Sequence, residues 1–108
     1  MPRVDFFWWA GCPSSDEALE TLREAMRVAG LDPDSIAVTE ITNEDQARAL
    51  GFPGSPTIRV DGADVEDPGE NPIGLSCRVY KQADGRVSPL PDRAKIEAAL
   101  AGGGGGDR

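Results

Sequence analysis

Residues 3–9 (RVDFFWW) are aromatic or aliphatic almost throughout, the pattern of a short strand buried on both faces. Gly11 breaks the run, and from Ser14 the spacing becomes helical. Leu19, Leu22, Met26 and Ala29 fall on one face, with Glu and Arg residues on the other. Pro13 suits the first helical position, where its missing N–H needs no partner. Gly30 suits the residue just past the end. The first unit is therefore strand, tight turn, helix.

Residues 35–41 (SIAVTEI) alternate as a second strand. Thr42 or Asn43 can cap a short helix that runs to Leu50 and stops at Gly51. A turn-rich stretch then leads through Pro56 into a strand over residues 57–60 and a turn at Asp61-Gly62. Residues 63–74, acidic and rich in Pro and Gly, read as a long loop, and 75–81 (LSCRVYK) as the next strand. Asp84-Gly85 suggests a hairpin turn into 86–90, and Pro91-Asp92 opens a last helix with Ile96, Ala99 and Leu100 as its apolar positions. The order is βαβα, then ββ, then α. It predicts an α/β fold with a mixed β-sheet of about four strands and helices on both faces. Residues 1–101 form the domain, and 102–108 (GGGGGDR) read as a flexible Gly-rich tail.

Composition narrows the function. The chain has 108 residues, 39% of them hydrophobic, enough for one domain with its own core. Its formal net charge of −8 argues against nucleic-acid and anionic-membrane partners. No apolar run approaches membrane-spanning length and no signal-peptide core opens the chain, so the expected location is cytoplasmic. Oligomeric state stays open. There are two cysteines and no histidine, which removes Cys-His and Ser-His-Asp machinery. Two thiols alone make a poor tetrahedral zinc site, so neither metal nor cofactor is expected.

Cys12 falls between the end of a buried strand and the start of a helix. Unpaired first-turn N–H groups and the helix dipole favour its thiolate there, and the thiolate is the nucleophile. Asp16 and Glu17 in the same turn oppose this, so a modestly lowered pKa is expected. The alternative is a capping-region cysteine of ordinary reactivity. Ser15 stands where a C-x-x-C dithiol would carry its second sulfur; it can hydrogen-bond a thiolate but cannot close a disulfide. Farther on, Ser55-Pro56-Thr57 precedes a strand, and X-Pro is the linkage at which a cis bond is least costly.

At WWAGCPSS, GSPTIRVDG, the βα order and the closing strand pair with its helix, the chain resembles the thioredoxin superfamily over most of residues 3–101. Within it, the GCP turn, GSPT strand start and GLSCRVY strand are similar to those of the DF family of (seleno)proteins. Some members of that family carry selenocysteine where Cys12 stands. The resemblance implies a thioredoxin-like fold, a cis Ser55–Pro56 bond beside Cys12, and Cys12 as a redox nucleophile. It also implies a substrate surface, for which Trp9, Pro13, Ser55 and Pro56 are the candidates. The chain departs from thioredoxins at Ser15, which makes it a monothiol C-x-x-S variant. It departs again at Asp5, one residue farther from the cysteine than their buried acid, and expected here to be structural or solvated. Of Trp8 and Trp9, one is expected in the core and the other at the wall of the site.

Cys77 has two open readings, an inert core thiol or a partner for Cys12. Simple hairpin register favours the first, placing Cys77 at the far end of its strand. Three functions follow. The first is a monothiol thiol-disulfide oxidoreductase in which Cys12 attacks, Ser15 supports it, and an external thiol or Cys77 resolves the product. Its substrate is a thiol or disulfide, protein or low-molecular-weight. The second is soft-metal or organomercurial chemistry through Cys12 and Cys77. The third is a redox-inactive module that captures an extended peptide beside Pro56.

Overall fold

The computed structural model of the chain describes residues 3–66, 73–78, 80–81, 85–88 and 90–102. At its centre β1 (Val4–Trp8) pairs in parallel with β2 (Ala37–Glu40) and antiparallel with β3 (Thr57–Val60). A two-residue strand β4 (Ala63–Asp64) pairs antiparallel with β3, giving a mixed sheet in the order β2-β1-β3-β4. Parallel neighbours need a crossover; here α1 (Ser15–Val28) and a 3₁₀ turn (Pro33–Ser35) supply it between β1 and β2. Antiparallel β3 and β4 need only a tight turn. Asp61 and Gly62 make it at φ 52° and 85°, positive at both positions as the favoured two-residue hairpin turn requires.

Side-chain alternation along β1 sends Val4 and Phe6 to one face and Phe7 to the other. The first face packs on Leu22 and Met26 of α1 and on Ile96 and Leu100 of α3 (Arg93–Gly102). The second packs on Ile41, Phe52 and Ala47, the last from α2 (Glu44–Leu50). Helices thus cover both faces, and β1 is buried from Val4 to Phe7, with Trp8 half-buried. Each fully buried Leu, Met or Phe contributes about 1.5–3 kcal/mol relative to exposure. Asp5 is buried at the start of β1, where Arg3 Nε donates to it at 3.1 Å.

The structure departs from the sequence pattern after β3. The pattern predicts a loop over 63–74 and the sheet's next strand over 75–81. Instead Ala63–Asp64 takes the place beside β3, because a two-residue turn folds the chain straight back. Tyr80–Lys81 (β5) pairs with Val87–Ser88 (β6) in a separate two-stranded ribbon. The described order is accordingly βαβα, four short strands and α. Residues 67–72 of the expected loop, the Asp84 position of the expected turn and residues 103–108 of the tail lie outside the described residues. α3 itself continues to Gly102, the first glycine of the tail. Among the described residues, no helix is long and apolar enough to cross a membrane.

Candidate functional site

β1 ends at Trp8, and the chain turns back at once, Cys12 N donating to Trp9 O at 3.0 Å. The Trp9 indole folds over Gly11, where a Cβ would lie 2.5 Å from ring atoms, so any other residue would have to push the ring aside. Trp9 also packs against the Phe7–Phe52 cluster, while Trp8 packs against the opposite one. Both tryptophans are half-buried. Helix α1 is N-capped at Ser14. Cys12 therefore precedes the cap by two residues, and Pro13 stands ahead of the helix rather than at its first position. Pro13 is exposed.

The Cys12 side chain is almost covered, at 4% exposure, but its surroundings are polar. Its Sγ lies 3.1 Å from Ser14 Oγ and donates to the Ser55 carbonyl at 3.4 Å. Burial works against ionisation of this thiol. Hydrogen bonds from the Ser14 hydroxyl, the Ser14 amide, the Cys77 thiol and the Ser55 hydroxyl outweigh it, so the pKa lies below its ordinary value. The direction matches the sequence expectation, but the donors are local groups of the turn and of a distant segment.

Ser15 does not touch the sulfur through a hydrogen bond. Its Oγ donates to Cys12 O at 3.3 Å and shares a hydrogen with Ser55 Oγ at 3.1 Å. Ser55 Oγ in turn accepts from Trp9 N at 3.0 Å. The two serines thus brace the Cys12 turn against the start of β3, next to the cis Ser55–Pro56 bond. The hydroxyl beside the sulfur belongs to Ser14, which the C-x-x-S pattern passes over; its signal is a hydroxyl at the N-cap.

Hairpin register puts Cys77 at the far end of a strand, and the structure corrects this. Because β4 occupies the edge of β3, residues 76–78 meet the chain one step earlier, in a parallel bridge between Ser55 and Cys77. Ser55 N donates to Ser76 O at 2.8 Å, and Arg78 N donates to Ser55 O at 2.8 Å. Cys77 is exposed and free, and its bridge partner Ser55 carries the carbonyl that lies 3.4 Å from Cys12 Sγ, which puts the two cysteines in the same neighbourhood. Its hydrogen bond with Cys12, some burial and the negative charge of a Cys12 thiolate all push its pKa up. One interaction thus favours thiolate at Cys12 and thiol at Cys77.

The anchor of this segment is Arg78, a single cation in an otherwise uncharged run. Its side chain is 0% exposed and Nη1 meets Asp64 Oδ2 at 2.8 Å. Nη1 also reaches Thr57 Oγ1 at 3.2 Å, and Nη2 donates to Glu66 O at 2.6 Å. The guanidinium stacks 4.5 Å from the centre of the Tyr80 ring. The Tyr80 hydroxyl donates to Pro56 O, and burial pushes its pKa well above the usual tyrosine range.

Fold and site together define an α/β protein in which two free cysteines both neighbour Ser55, at the start of a proline-initiated strand. No protein-family model matches the sequence, and neither a curated protein nor a solved structure is a significant match to the chain. Among the described residues, no group of three or more Cys, Asp or Glu side chains is arranged to hold a metal ion.

Proposed function

We propose that this protein is a thiol-disulfide oxidoreductase of thioredoxin-like fold in which Cys12 is the attacking thiol. One observation carries the reading: the Cys12 sulfur sits among hydroxyl, amide and thiol donors that outweigh its burial and lower its pKa. Thiolate, not thiol, is the attacking species. The strand-turn-helix path to Cys12 and the cis Ser55–Pro56 bond beside it agree with a thioredoxin-like arrangement.

In the reaction, Cys12 Sγ attacks one sulfur of a substrate disulfide. The bond between the substrate sulfurs breaks, the distal sulfur leaves as a thiolate and takes a proton, and Cys12 is held in a mixed disulfide. A second thiol attacks that bond and restores the Cys12 thiolate. Ser14 stabilises the attacking sulfur, while Ser15 and Ser55 hold its turn in place. Half-buried Trp9 and exposed Pro13 border the approach, while Pro56 is buried behind Ser55. Free thiols in an acidic chain suit a reducing, cytoplasmic setting.

The test is turnover of a low-molecular-weight mixed disulfide with a thiol reductant. Wild type is expected to accelerate it and Cys12→Ser to lose the acceleration while keeping its circular dichroism. Undiminished turnover by Cys12→Ser would overturn the assignment.

A further inference from the structure

We infer that residues 76–78 are a built-in strand that presents Cys77 to Cys12 as the resolving thiol, so that the protein takes a small disulfide rather than an extended polypeptide. The inference rests on the proposed attack by Cys12.

The backbone of Ser55 is the place where an extended peptide could pair beside Cys12. Both of its hydrogen-bonding groups are already used within the chain, each at 2.8 Å, by Ser76 and Arg78. A peptide joining by strand addition needs such groups free. It would have to displace Arg78, whose buried guanidinium is tied to Asp64, Thr57 and Glu66. Little of Cys12 is open to a protein-sized partner. The occupying segment places an exposed cysteine at the bridge position opposite Ser55, whose carbonyl is 3.4 Å from Cys12 Sγ. Cys77 stands where a docked substrate would offer its sulfur.

The steps balance. Cys12 thiolate attacks a small disulfide, forms a mixed disulfide and releases one substrate thiol. Cys77, now without a thiolate nearby, loses the negative charge that helped keep it protonated. It gives its proton to solvent and attacks Cys12 Sγ, expelling the second substrate thiol. The substrate disulfide gains two electrons and becomes two thiols, and the protein dithiol becomes a Cys12–Cys77 disulfide. A low-molecular-weight thiol in excess returns the protein to the dithiol and is itself oxidised to a disulfide.

The experiment treats the reduced full chain with oxidised glutathione, quenches in acid, alkylates, and maps both cysteines by mass. The expected result is an internal Cys12–Cys77 disulfide in wild type and a glutathione adduct on Cys12 in Cys77→Ser. A lasting glutathione adduct on Cys12 in wild type, with Cys77 alkylated, would overturn the inference and leave Cys12 as the attacking thiol. Cys12 free of adduct and disulfide in both proteins would overturn the attack by Cys12 and this inference with it. A second arm compares oxidation by glutathione disulfide with oxidation by a mixed disulfide on an unfolded polypeptide. The small disulfide is expected to react at least ~10-fold faster per mole, given the closed edge; faster reaction of the polypeptide contradicts the built-in strand.

Discussion

Gly54 and Arg78 touch backbone to backbone: a Cβ at position 54 would lie 3.1 Å from Arg78 N, Cα and Cβ. Gly54 also holds φ at +115°, a region that side-chain-bearing residues rarely adopt. This contact lets residues 76–78 lie against Ser55 and brings Cys77 to Cys12. Gly54→Ala should therefore cost roughly 1–3 kcal/mol of unfolding free energy, from strain plus crowding. Gly62→Ala is the control, since φ is +85° there but nothing lies within 4 Å. Urea denaturation should show the larger loss at 54, and only Gly54→Ala should slow Cys12 alkylation by withdrawing the Cys77 donor.

The Arg78–Asp64 pair should behave as a buried charge pair, with side-chain exposures of 0% and 13%. Asp64→Asn leaves the guanidinium poorly compensated and is expected to cost about 3 kcal/mol by chemical denaturation. Arg78→Met combined with Asp64→Leu should recover much of that loss, because two apolar groups leave no buried charge behind. Equal destabilisation by the single and double variants would contradict this.

Ser14 and Ser15 should separate by effect. Ser14→Ala removes the hydroxyl nearest Cys12 Sγ and should raise the Cys12 pKa, slowing alkylation several-fold at neutral pH, with little change in stability. Ser15→Ala leaves the Ser55 hydroxyl short of a partner and should cost about 1 kcal/mol with a smaller change in thiol reactivity.

Alkaline pH should weaken the fold through Tyr80. Its folded pKa is raised by burial, so its contribution is intact below the unfolded tyrosine value of about 10 and is lost as pH rises above it. Cys77, also raised, adds loss in the same direction from the thiol range upward. Cys12 acts oppositely: its lowered pKa gives stability present above the unfolded thiol value and lost as pH falls through the folded one. Urea midpoints on either side of pH ~10 should therefore fall in wild type and fall less in Tyr80→Phe.

Much of the frame was legible in the chain because local chemistry and tertiary packing agree there. Within the run at residues 3–9, which reads as a doubly buried strand, Val4–Trp8 is the strand and Val4 to Phe7 are buried, and Leu22 and Met26 lie on the predicted helix face. Asn43 and Gly51 bound α2 where cap chemistry puts them. The polar part was harder to read. A two-residue turn at Asp61-Gly62 permits either a returning strand or a loop, and the acidic, Pro- and Gly-rich composition of residues 63–74 favours the loop. Asp64 is tolerated in the sheet because Arg78, distant in sequence, neutralises it. Arg78 of the segment bearing Cys77 is held by the same Asp64, so the position of Cys77 depends on an ion pair that no local pattern announces. Ser15 drew attention by its C-x-x-S spacing, yet the hydroxyl on the sulfur is that of Ser14.

The most direct measurement is the pH dependence of Cys12 alkylation by iodoacetamide in the native chain, with the site assigned by peptide mass. The structure predicts half-maximal reactivity at a pH below the value that the same thiol shows in the urea-unfolded chain. A midpoint at or above that value would contradict a Cys12 sulfur held ionised by its neighbours.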